Sequence, residues 1–215
     1  MLVVRRELSA ERTQPDGVAS ALTFTATVVL LESLAFGAGR AHASDIASGL
    51  YWIALLFAAV LVSTRSFDRD LEDDAIDALL ALPGGRDAVF AGKAVAIGAV
   101  LAVVAATAGG FAIFLLDLAP VLPLHAVVVT ALGVIALPPV VVLSNLLALR
   151  VRARAAIVPI LTFPLLVPQL VAATQGTAAA LDGRGPEALA WAGLLAAFAL
   201  VYTVLGLTIV PAAIE

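Results

Sequence analysis

Six stretches of this chain are each long and apolar enough to cross a lipid bilayer, and no other feature restricts its fold so much. They cover residues 18–38, 46–64, 88–116, 124–149, 155–174 and 188–210. A helix needs about 18 or more mostly apolar residues to span a hydrocarbon core roughly 30 Å thick. The stretches are continuously apolar and lack the alternation of a barrel strand, so they read as helices. Composition points the same way. Hydrophobic residues make up 62% of the 215 and charged residues only 13%, where a soluble domain carries roughly a quarter. That balance excludes a soluble enzyme, a nucleic-acid binder and a disordered chain. With no cysteine, the chain has no disulfide, thiolate metal site or redox motif. The expected fold class is all-α: a polytopic membrane protein with six transmembrane helices and one permease domain over residues 1–215.

The third and fourth runs exceed the bilayer thickness and must tilt, bend or project beyond it. Gly109-Gly110 and Pro138-Pro139 are the expected bends, and Pro159, Pro164 and Pro168 make the fifth run a poor straight helix. The first run, at 21 residues, is too long for a signal-peptide core of about 7–15 and reads as a span. Orientation follows from the basic residues in the short loops. Ten lie on one side: Arg5, Arg6, Arg12, Arg65, Arg69, Arg86, Lys93, Arg150, Arg152 and Arg154. The other side has Arg40 and Arg184. Both termini are therefore expected in the cytoplasm, with the chain multi-pass in the plasma membrane.

The loop over residues 65–87 is the most informative stretch. On a helical wheel Phe67, Leu71, Ala75, Ala78, Leu79 and Leu82 share one face. Asp70, Asp73, Asp74 and Asp77 share the other, and Pro83-Gly84-Gly85 closes the helix. The expectation is a short amphipathic helix at the cytoplasmic surface. Helices that bind anionic inner leaflets are basic. This one is acidic, which points to a basic protein partner; a solvated connecting helix is the alternative.

Residues 65–82 resemble the loop of the cytochrome c maturation permease B family, in which a D-x-E-D-G-x-[LI]-[DE]-x-L-L run follows the second membrane helix and a proline comes soon after. Asp70, Glu72, Asp73, Ile76, Asp77, Leu79, Leu80 and Pro83 match, while Asp74 replaces the usual glycine. Residues 51–63 resemble the family's second helix, and Lys93, after Ala91-Gly92, stands where the family tends to carry an Ala-Lys pair. The N-terminal Arg-Arg-Glu-Leu and the six-helix length fit as well.

The resemblance implies a subunit similar to the membrane parts of type-2 ABC exporters. Such permeases pair, and each rests a cytoplasmic coupling helix on a separate ATPase. The coupling residues would be Asp70, Leu71, Glu72, Asp73, Asp74, Asp77, Leu79 and Leu80. The chain has no phosphate-binding G-x-x-x-x-G-K-[ST] loop, so the resemblance makes it a transport subunit and no enzyme. The implied partners are an ABC ATPase subunit, a haem-handling membrane protein, a haem chaperone, membrane lipids and a second copy of the chain. No cofactor is expected to reside in the chain; haem enters as a transient substrate.

Three further positions carry chemistry. His42 and His125 are the two histidines and fall on the non-cytoplasmic side. Histidine is a common axial ligand of haem iron, so both are candidate haem contacts, against the plainer reading of interfacial residues. Glu32 is an acid inside a span, a functional candidate by position. It faces either a dimer cavity or the interface in protonated form. Lys93 differs from Glu32 in depth by about 13 Å at 1.5 Å per residue, which excludes a direct pair, and is expected to snorkel to the cytoplasm. Two competing functions stay open: a generic ABC-2 permease for a lipid, drug or polysaccharide, and a non-transporting membrane scaffold.

Overall fold

The computed structural model describes residues 2–13, 16–36, 43–72, 75–81, 85–116, 119–149, 151 and 154–213. Among these residues the chain is all helix, without strands. The elements are α1 (Leu2–Thr13), α2 (Asp16–Phe36), α3 (Ala43–Glu72), α4 (Ala75–Ala81), α5 (Gly85–Leu116), α6 (Pro123–Leu147), α7 (Arg154–Leu181) and α8 (Gly185–Ala213). Of these, α2, α3, α5, α6, α7 and α8 are long and apolar enough to cross a membrane.

Because the spans alternate in direction, one end of the bundle gathers α1, the last turns of α3, α4 and the first turns of α5 and α7. This is the end that carries most of the arginines, and it is called the basic end below. Inside the bundle α3 and α6 are the most enclosed spans, and α2 and α8 the least. Trp52, Leu55, Leu101, Leu137, Leu166 and Leu195 fill the interior. The Trp52 ring lies against the backbone at Gly133, where a Cβ would collide with it. Its indole N–H donates to Thr177 Oγ1 at 2.9 Å, so the ring ties α3 to both α6 and α7. Lipid cannot solvate a buried N–H, and pairing it is the condition for placing a tryptophan there.

Local sequence sets the helix ends. Pro123 begins α6, where a missing N–H costs nothing. Gly183 ends α7 with a φ of +80°, and Arg184 N–H reaches back to Ala179 O at 2.8 Å. This is a left-handed glycine cap of a kind few other residues adopt.

The structure differs from the sequence expectation at the end of the second run. The second run does not stop at residue 64. No glycine or proline stands between residues 50 and 72, and α3 runs on to Glu72. Of the amphipathic helix expected over residues 67–82, residues 67–72 are the last described turns of α3, and residues 75–81 are α4. The run with three prolines lies within one helix, α7, as membrane helices allow where neighbours satisfy the freed carbonyls.

Candidate functional site

At the basic end, the last turns of α3 turn a polar stripe toward the bundle. Ser63, Ser66, Phe67 and Asp70 follow the i, i+3, i+4, i+7 spacing of a single helix face, and all four are buried. Each is used. Ser63 Oγ accepts from Asn145 Nδ2 at 3.0 Å. Ser66 Oγ donates to Glu7 Oε2 at 2.8 Å and accepts from Lys93 Nζ at 2.6 Å. Asp70 pairs with Lys93 Nζ at 2.7 Å through one oxygen and with Arg6 at 2.8 Å through the other. The Phe67 ring receives two cations, Lys93 Nζ at 4.6 Å and the Arg154 guanidinium at 5.5 Å from its centre.

Lys93 is the hub of this cluster. It is fully buried and reaches Glu7 Oε1 at 3.0 Å on α1 as well as Asp70 on α3. Its third direction is taken by Ser66, through the hydroxyl and the carbonyl oxygen at 3.2 Å. Gly92 makes room for the contact: a Cβ there would sit 2.5 Å from Val3 Cγ1 and 2.7 Å from Val3 Cβ. The glycine thus lets α1 cross close over α5, and the adjacent lysine bonds the helix that has come near.

A second polar link lies beside the first. Arg154, at the start of α7, bonds Asp68 at 3.0 Å and Asn145 Oδ1 at 2.9 Å. Five helices, α1, α3, α5, α6 and α7, therefore meet around residues 63–70.

A separate groove of about 1030 Å³ runs between α5 and α6. Its walls are mostly alanine, glycine, valine and proline with Phe90, Ile113, Ile135 and Leu181, and the few polar groups are those of Ser48, Tyr51, Thr130, Thr177 and Thr203. Glu32 is buried on α2 and is not among the residues that line it.

The family model described as "CcmB protein" matches residues 1–215. The chain belongs to the CcmB family. A relative from Rhodobacter capsulatus named "Heme exporter protein B" is 29% identical over 188 residues, covering 87% of this chain and 84% of the relative. A protein of the same name from Escherichia coli K12 is 31% identical over 94 residues, 44% of this chain and 43% of that protein.

With the CcmB assignment made, the expected site residues can be placed. Asp70 does not share an outward acidic face. It is 3% exposed and lies inside the bundle, because α3 continues and brings Asp70 into register with Ser63 and Ser66. Leu71, expected on the buried apolar face, is 37% exposed. Glu72 is exposed, while Leu79 and Leu80 on α4 pack partly against the core. Asp73 and Asp74 lie outside the described residues, as do the side chain of Asp77 and the whole of His42.

Lys93 does not snorkel. With α1 and the end of α3 covering it, its ammonium finds two carboxylates before it finds water. His125 stands half-buried in the first turn of α6, at the end remote from Lys93, with Nε2 facing the backbone at Gly185.

Sequence reasoning missed the roles of Glu7, Ser66, Asn145 and Arg154. One signal was present: Lys93 is the only lysine in the chain, directly after a glycine in an otherwise apolar helix. A cation at that depth needs an acid, and Glu7 and Asp70 are among the acids on the same side of the membrane.

Proposed function

We propose that this CcmB-family chain is the membrane subunit of an ABC exporter complex serving cytochrome c maturation. The complex moves haem outward or uses ATP to release a haem-loaded chaperone. The relatives' name supports the haem connection, and the shared family over the whole length supports its transfer to this chain.

The observation that carries the reading is the build of the loop after the second span. Helix α3 leaves the apolar interior still helical and ends on the exposed Leu71 and Glu72. Next comes α4, whose Leu79 and Leu80 pack inward while Ala78 faces out. The described parts of this segment are helical and anchored in the bundle, as a lever driven by a partner must be. On this reading the partner is a separate ATPase, which docks on the segment formed by Leu71, Glu72, Asp73, Asp74 and Asp77. Both termini face the cytoplasm, and the excess of Lys and Arg at the basic end supports that orientation in the inner membrane. Two copies of the chain form the transport unit, since six spans are few to enclose a two-sided pathway. At the opposite face His125 is the described histidine available to a haem iron.

The test is complementation and co-purification. In a strain lacking its own copy, the chain should restore holo-cytochrome c, and affinity-tagged protein should bring down an ATPase subunit in about equal amount. Restoration without any co-purified ATPase would refute the transporter reading in favour of a scaffold. An ATPase partner with no effect on cytochrome c would favour a permease for another substrate.

A further inference from the structure

We propose that Lys93 is a positioning residue for ATP-driven coupling: by bridging Asp70 on α3 and Glu7 on α1, it makes α1, the end of α3 and the start of α5 move as one body. This inference rests on the exporter reading above and adds to it a residue and a role.

Three independent observations meet here. Lys93 is fully buried, and its ammonium contacts two acids from two different helices. Gly92 brings α1 to within a distance that no larger residue permits. Asp70 lies in the last described turn of α3, so a displacement of that turn acts first on the Asp70–Lys93 ion pair. Arg6 completes the joint by pairing with Asp70 at 2.8 Å and lying 3.7 Å from Glu7. Two cations thus face two carboxylates, and the joint is charge-balanced.

An apolar contact between α3 and α5 would permit sliding. The ion pairs resist it, because a displaced Asp70 must part from both Lys93 on α5 and Arg6 on α1. Motion of the last turn of α3 is therefore passed on to α5 and α1 together. Neither α1 nor Lys93 touches substrate on this account; they carry displacement from the ATPase side into the spans.

The test uses two double variants of the full-length chain in its complex: Glu7→Gln with Lys93→Met, and Asp70→Asn with Lys93→Met. Each removes one acid with the lysine, so the remaining acid keeps Arg6 and no net charge is left buried. Both variants are expected to accumulate in the membrane and hold the ATPase at wild-type level. ATP hydrolysis in nanodiscs should stay within two-fold of wild type, while holo-cytochrome c formed per ATPase complex falls at least five-fold.

The chain contains no cysteine, so spin labels can be placed at Arg5→Cys on α1 and Arg65→Cys on α3, both exposed. The distance between them should be narrow and unchanged by nucleotide in wild type, and broadened in both double variants. Wild-type cytochrome yield from either double variant would overturn the proposal. So would failure of both to accumulate, which would make the bond one of folding only. If the wild-type chain holds no ATPase, the exporter reading fails, and the spin-label distance still decides by itself whether the three helices move together.

Discussion

Replacing Gly92 by alanine should loosen α1 from the bundle, and the structure gives the size of the effect. The new Cβ would stand 2.5 Å from Val3 Cγ1, whereas carbon atoms at rest sit about 3.5–4.0 Å apart. Helix α1 must therefore retreat by about 1 Å. The Lys93–Glu7 contact, 3.0 Å now, would open to about 4 Å. At an effective dielectric of about 20, that change weakens the pair by about 1.4 kcal/mol. Overpacking strain of about 1–3 kcal/mol adds to it, so the total is about 2–4 kcal/mol. For a chain of this size that is a fall in Tm of roughly 5–15 °C, measurable by thermal unfolding in detergent. Adding Val3→Ala removes Cγ1 but leaves Cβ, which would still be 2.7 Å away, so rescue should be partial. A Gly92→Ala protein with wild-type Tm would refute the close crossing of α1 over α5 and the reasoning built on it.

Other outcomes follow from the same geometry. Asp70→Asn should destabilise the chain by about 3–5 kcal/mol, because it strips a buried ammonium of one partner. Glu72→Gln, two residues away and exposed, should change stability by less than about 0.5 kcal/mol; equal effects in thermal unfolding would contradict the inward register of α3. Trp52→Phe should cost about 1–3 kcal/mol, since Thr177 loses its indole donor, and Thr177→Val should cost a similar amount without adding to the first. In intact cells a cysteine at Ala119 should react with an impermeant thiol reagent, and one at Ala78 should react only after permeabilisation; the reverse pattern would overturn the orientation.

The spans were legible in the sequence because each is its own evidence: apolar length alone says helix and says membrane. The terminal register was not legible. A helical wheel over residues 67–82 assumes one helix with water on one side, and it assigns Phe67 and Leu71 to the buried face on hydrophobicity. Phe67 is buried as the wheel has it, but the bundle accepts Ser66 and Asp70 beside it in place of Leu71, since Lys93, Arg6 and Glu7 supply partners from helices far away in sequence. No local pattern contains those partners. Helix α1 was unread for a related reason. Its sequence is polar and short, and it is fixed by Gly92 and Lys93, residues that lie some ninety positions later in the chain.

The polar joint also explains itself energetically only when function is included. Burying a lone ammonium or carboxylate costs many kcal/mol, and even a well-paired buried cluster is often no more stabilising than leucine and methionine of equal volume. Apolar side chains could therefore hold α1 on α5 as firmly. What they could not supply is register. Sliding α3 by one helical turn, about 5.4 Å, would leave an apolar seam nearly as well packed as before, but it would carry Asp70 out of reach of Lys93 and leave the buried ammonium with Glu7 as its one acid. The charged joint thus has one engaged geometry, separated by a steep cost from its neighbours. A connection with that property transmits a push instead of absorbing it, which is the requirement on the segment between an energy-consuming partner and a bundle of transmembrane helices.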